Sequence, residues 1–350
     1  ATTEIYTLSL HDALPIWSVP RVVHEGNDLF VNWADFPGIA VFEDGTIAVH
    51  WLREIGPSSS GYQVEISLSH DSGVTWGQPL IPHADRSFVQ HGFVAMLPAG
   101  QKGLVVIWLD GRAYTVEGDK ALPTQDAMQL RATTLTRNSA LGNDVIIDLQ
   151  TCSCCQTSLA AMGDGTVLAA YRDRTAGEIR DISVSRLTEE GWEAPITVHS
   201  DGWEFWGCPV NGPAIDAVGE IASVAWFTVA NEVAAVKVAF SDDGGRNFGA
   251  PVPIDQGNPM GRVDLEMLED GTALVSWVEW AKGKESLFLC RVHREAGCIS
   301  RERMVYNASD AVLNFPRMAR LGQEVYLAWT QSNTNGDNIV VRRAVLAKAQ

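Results

Sequence analysis

Six copies of one short strand pattern constrain this chain more than any other feature. They are Thr46 to Trp51, Leu104 to Trp108, Thr166 to Tyr171, Ile221 to Trp226, Thr272 to Trp277 and Val325 to Trp329, each ending on an aromatic residue. The aromatics lie 57, 63, 55, 51 and 52 residues apart. Just before each copy stands a glycine: Gly45, Gly103, Gly165, Gly219, Gly271 and Gly322. A short apolar strand precedes each turn, as in Gly38 to Phe42 and Leu265 to Leu268. Every unit therefore begins as a hairpin with a glycine in its turn. A third strand follows, then a fourth opening on an aromatic with a proline three residues later: Trp76 to Pro79, Trp192 to Pro195 and Phe248 to Pro251. Six such units set radially predict an all-β, six-bladed β-propeller with four-stranded blades.

One domain is expected over residues 17–350. Trp17-Ser-Val-Pro20 repeats the fourth-strand pattern and is followed by Arg21 to His24. Trp17 to His24 is therefore read as the outer strand of the last blade, closing the ring. Residues 1–16 match no repeat and resemble translated adapter sequence, so they are read as a non-native or disordered segment. No signal peptide is visible there, and the chain is expected to be a bacterial periplasmic or extracellular protein.

The formal net charge of −17 argues against nucleic acid and anionic membrane surfaces, which require clustered cations. No apolar run reaches the roughly 18 residues of a membrane span. A monomer handling a small polar or glycan ligand fits this composition.

Two segments follow the pattern Ser-x-Asp-x-Gly-x-Thr/Asn-aromatic. One is Ser69, Asp71, Gly73 and Trp76; the other is Ser241, Asp243, Gly245 and Phe248. The spacing lets the carboxylate accept turn N–H groups, the glycine take positive φ, and the aromatic enter the space between sheets. Both fall between third and fourth strands, where the Asp boxes (bacterial neuraminidase repeats) of the sialidase superfamily stand, and the chain resembles that family. Such boxes are structural and support many functions. The resemblance implies an active face opposite the boxes, made of loops entering first strands and leaving second strands.

Those loops hold the candidate site. Asp173, Asp35 and Glu279 are the candidate catalytic carboxylates. Arg172, Arg174, Arg262, Arg317, His91, Trp203, Trp206 and Asn211 are the candidate substrate-binding residues. The family implication is a sialidase-like glycosidase that grips an acidic glycan, since guanidinium matches carboxylate in a bidentate fork. Arg262 and Arg317 stand where two members of the family's arginine triad are expected. Asp35-Phe36-Pro37 replaces the first-blade arginine motif, and Asn314-Phe315 stands where a nucleophilic tyrosine is expected. Arg172, Asp173 and Arg174 read either as an anion clamp with a proton donor or as a salt-bridged loop.

Four of the six cysteines gather before neighbouring inner strands, Cys152, Cys154 and Cys155 in one loop and Cys208 in the next. Disulfides, a soft metal such as Cu(I) or Zn(II), and free redox thiols all remain open. A metal there is the one cofactor considered, and it supports the alternative of a non-catalytic, ligand- or metal-binding propeller. Cys290 and Cys298 bracket a turn and are expected to form a cross-strand disulfide.

Overall fold

A computed structural model describes residues 20–56, 61–113, 116–117, 120–121, 128–306, 312–333 and 336–346. Among the described residues its strands form seven antiparallel sheets, six of them in chain order as the blades of a propeller and the seventh a two-stranded ribbon of Val116–Glu117 with Lys120–Ala121. Blade one holds Gly38–Val41, Ile47–Glu54 and Tyr62–Ser69, with Leu80 bridging Ile66 where a fourth strand would run. Blade two holds His91–Pro98, Leu104–Asp110, Met128–Leu135 and Val145–Thr151. Blade three holds Ser158–Ala161, Val167–Arg172 and Ile182–Thr188, with Gly191–Trp192 and Ile196–His199 sharing its outer edge. Blade four holds Ala214–Val218, Ile221–Thr228, Ala235–Ser241 and Val252–Pro253. Blade five holds Pro259–Met267, Ala273–Ala281, Lys284–His293 and Gly297–Tyr306. Blade six holds Val312–Leu321, Glu324–Asn333 and Gly336–Val345. Fourth strands are short in blades one and four, where a proline at the outer edge limits the ladder.

All six repeat aromatics are buried on second strands. Four of them satisfy their polar atom on a carboxylate, as buried Trp and Tyr require. Trp108 donates to Asp110 at 2.7 Å, Trp226 to Asp201 at 2.7 Å, Trp277 to Glu279 at 2.9 Å, and Tyr171 to Asp148. The apolar clusters between blades are built from these second strands and their neighbours, for example Leu168, Ala170, Val184, Val224 and Trp226 between blades three and four.

The two box turns have one geometry. Ser69 Oγ donates to Asp71 at 2.9 Å and accepts the Gly73 N–H at 2.8 Å, and Asp71 accepts the Thr75 N–H at 2.8 Å. Ser241, Gly245, Asn247 and Asp243 repeat this at 2.8, 2.9 and 2.9 Å. Gly73 and Gly245 sit at φ 79° and 78°. The hydrogen bonds close within each turn, so the boxes fix the corner between third and fourth strands.

Ring closure differs from the expectation. Trp17 to Val19 lie outside the described residues, as do residues 1–16, and Pro20 to His24 carry no strand. His24 stacks on Trp51 of blade one with ring centroids 4.8 Å apart. The chain then runs along the open edge of Ile47–Glu54, where Phe30 N donates to Leu52 O at 3.0 Å and Glu54 N to Asp28 O at 2.7 Å. The short strand Gly38–Val41 covers only the first half of that edge, and the unpaired second half captures the N-terminal segment. The described part of that segment thus extends blade one, and blade six has three strands among the described residues.

Candidate functional site

The inner strands converge on the propeller axis, and side chains of one blade cap backbone N–H groups of the next. Asp35 accepts the Phe93 N–H at 2.8 Å, Gln156 the Gly212 N–H at 3.1 Å, Asn211 the Arg262 N–H at 2.7 Å, and Glu285 the Leu313 N–H at 2.6 Å. Below this ring runs a second one. Ser158 accepts from Ile215 at 3.2 Å, Asp216 from Met267 at 2.6 Å, and Asp264 from Met318 at 2.6 Å. Inner strands two, five and six are bulged, and the caps on Phe93 and Arg262 meet N–H groups that two of these bulges take out of the ladder. Each bulge places one non-glycine residue at positive φ: Phe93 at 51°, Arg262 at 54° and Phe315 at 31°. The inner strands approach so closely that a Cβ on Gly212 would stand 2.0 Å from the Gln156 carbonyl oxygen.

Within the rings lies a cavity of about 540 Å³, lined by residues of blades one, two, three and six, among them Asp35, Phe36, His50, Phe93, Gln156 and Arg317. That volume suits a ligand of one or two sugar rings. Arg317 keeps 47% of its side chain exposed and meets Asp264 at 3.4 Å. Asp35 is 4% exposed. Burial is the main cause that lifts its carboxyl from 3.8 to about 7, against the Phe93 N–H and the Tyr62 hydroxyl, which pull it down. Asp35 therefore keeps its proton up to about pH 7. Burial holds the His50 ring neutral, its pKa pushed down to about 3.

The remaining sequence-predicted residues do not join this cavity. Arg172 is 1% exposed and donates to three carbonyls, Asn211 at 2.7 Å, Phe227 at 2.6 Å and Arg180 at 2.5 Å. It clamps blades three and four together and has no open face for an anion. Arg174 pairs with Glu178 at 2.7 Å, the salt-bridged-loop alternative. Asp173 accepts from Ser183 at 3.2 Å and faces blade two, where burial and then the Asp148 charge raise its pKa to about 6. Glu279 is committed to Trp277 and Arg301, both at 2.9 Å, inside blade five. Arg262 bonds to the Leu313 carbonyl and meets Glu285 at 3.3 Å between blades five and six. Asn211 spends its side chain on Arg262 and on the Pro209 carbonyl. His91 is buried, stacked on His83 at 3.8 Å and 3.1 Å from Asp85. Trp203 is buried under the Arg172 guanidinium, 4.8 Å from its ring. Trp206 is 76% exposed and donates to Glu204. Of the predicted carboxylates and arginines, only Asp35 and Arg317 meet at one cavity. Sequence reading missed His50 and Phe93 as lining residues; both sit on strands rather than on rim loops.

Cys152, Cys154 and Cys155 lie together, their sulfurs all within 4.8 Å of one another. Cys208 Sγ lies 4.0 Å from Ser153 Oγ, at the edge of the group. Cys290 and Cys298 form a disulfide across the turn of blade five.

No protein-family model and no curated protein matches the sequence. Solved structures do. The NanB sialidase from Streptococcus pneumoniae superposes with a TM-score of 0.55 at 10% identity, over 93% of this chain and 70% of that one. A Trypanosoma rangeli sialidase gives 0.53 at 11% identity, over 88% of this chain and 54% of that one. A Penicillium chrysogenum α-L-arabinanase gives 0.54 at 12% identity, over 89% and 93%. What these proteins share with this chain is the six-bladed propeller. At such identities the likeness carries the fold and no particular activity.

Proposed function

We propose that this chain is a carbohydrate-active propeller whose central cavity takes an acidic sugar. The observation that carries the reading is the meeting of Arg317 and Asp35 on one cavity of about 540 Å³ lined by blades one, two, three and six. Arg317 offers a guanidinium with free donors to a ligand carboxylate, its own partner Asp264 being at 3.4 Å. With its carboxyl pushed up to about 7, Asp35 is protonated in a substantial share of molecules at neutral pH, which suits it to donate to a glycosidic oxygen or to a sugar hydroxyl. Apolar lining from Phe36 and Phe93 suits the less polar face of a pyranose. Named neighbours with this fold include sialidases and an arabinanase, which supports a glycan as the ligand class.

Sialidase-type hydrolysis is the finer form of this reading. Phe315 stands at the inner-strand bulge of blade six where that chemistry would use a tyrosine, so a water-dependent cleavage assisted by Asp35, or binding alone, fits these residues better. Isothermal titration with free sialic acid, a uronic acid and the corresponding neutral sugar tests the reading. Binding of an acidic sugar, at least tenfold tighter than its neutral counterpart, is expected. Equal affinities, or no binding of any, would reject it.

A further inference from the structure

The geometry points to a three-thiolate site for Cu(I) formed by Cys152, Cys154 and Cys155 at the junction of blades three and four. Cys152 Sγ lies 3.9 Å from Cys154 Sγ and 2.9 Å from Cys155 Sγ, and all three sulfurs fall within 4.8 Å of one another. A planar three-coordinate ion with metal–sulfur bonds of about 2.3 Å needs sulfurs about 4 Å apart, a spacing small side-chain rotations reach from here. Among the described residues, no histidine or carboxylate joins the group. A donor set of sulfur alone selects a soft ion. Zn(II) would require a fourth ligand; Cys208, exposed in the neighbouring loop, touches Cys154 but is not within 4.8 Å of all three sulfurs.

Cys152 N donates to the Arg172 carbonyl at 3.0 Å. Arg172 and Arg180 are buried, the first tied to backbone carbonyls and the second to Glu178. The same chain carries the Cys290–Cys298 disulfide while these thiols are free. Binding replaces thiol protons with Cu(I), which enters already reduced, so no electron transfer is involved. Cys208, 4.0 Å from Ser153 Oγ and open to solvent, is placed to pass the ion in or out.

The test uses the full chain, reduced and metal-free, titrated anaerobically with Cu(I) as its bicinchoninate complex. One equivalent should leave the chelator, and X-ray absorption at the copper edge should read three sulfur neighbours, a result that needs no variant. Cys154→Ser, at a half-buried position, should weaken binding roughly 10- to 100-fold or more with an unchanged melting temperature. Cys208→Ser should change it less than tenfold. The proposal is overturned if the native chain fails to compete with the chelator. It is equally overturned if thiol counting finds a Cys152–Cys155 disulfide that reductant does not open in the folded state, or if Zn(II) binds with four sulfurs while Cu(I) does not.

Discussion

Replacing Asp35 by asparagine should make the protein more stable at high pH. The Asp35 carboxyl has a pKa of about 7 in the folded chain, against 3.8 for the free group, chiefly through burial. Between these values the native state binds more protons than the unfolded state, so stability falls as pH rises through this window. The full penalty is present above pH 7 and absent below about pH 4. Roughly three pKa units at 1.36 kcal/mol each give about 4 kcal/mol. Asparagine keeps an acceptor for the Phe93 N–H, which Asp35 now bonds at 2.8 Å, and it never ionises. Urea unfolding of both proteins at pH 5 and pH 8, followed by tryptophan fluorescence, reads the effect. The stability of Asp35→Asn relative to the parent should rise by about 2–3 kcal/mol between the two pH values, since only part of the penalty is present at pH 5. A constant difference, or a variant that loses ground at pH 8, would mean that the carboxylate is charged and paired in the native cavity. The proton assigned to Asp35 would then be wrong.

Other outcomes follow from the interblade contacts. Gly212→Ala should cost about 3 kcal/mol or more, because its Cβ would meet the Gln156 carbonyl at 2.0 Å; a parent-like melting temperature would show that the two inner loops lie farther apart. Arg172→Leu should destabilise by about 3–5 kcal/mol through the unpaired carbonyls of Asn211, Arg180 and Phe227, and a neutral result in denaturant unfolding would remove its clamp role. Trp277→Phe should cost about 2 kcal/mol by stripping a donor from buried Glu279, measured the same way; no loss would show that Arg301 alone satisfies that carboxylate.

The sequence carries the fold because the repeat is a property of local pattern. Glycine turns, alternating apolar strands and the aromatic of each second strand all survive in every copy. The box turns are equally legible, since Asp71 and Asp243 bond only within their own turns. The closing strand was not legible, because a Trp-x-x-Pro pattern says nothing about which blade edge is open. The half-covered edge of Ile47–Glu54 decides where residues 28–30 pair. The site was legible in part. Loop position brought Asp35 and Arg317 forward, and both line one cavity. It could not distinguish a side chain aimed at the cavity from one capping the next blade, as Asn211 and Arg172 do. The Asn211 cap depends on the bulge at Arg262, as the Asp35 cap does on the one at Phe93, and a bulge leaves no signature in residue type.

On the proposed function, Arg317 anchors an acidic sugar in the cavity it shares with Asp35. Titration of the parent chain and of Arg317→Ala with the acidic sugar that binds best tests it most directly, with Arg174→Ala as the control outside the cavity. Loss of a charge-assisted pair is worth roughly 1.5–3 kcal/mol, so Arg317→Ala should weaken binding about 10- to 150-fold while Arg174→Ala leaves it unchanged. Equal affinity for the parent and Arg317→Ala, with both proteins folded, would contradict the account.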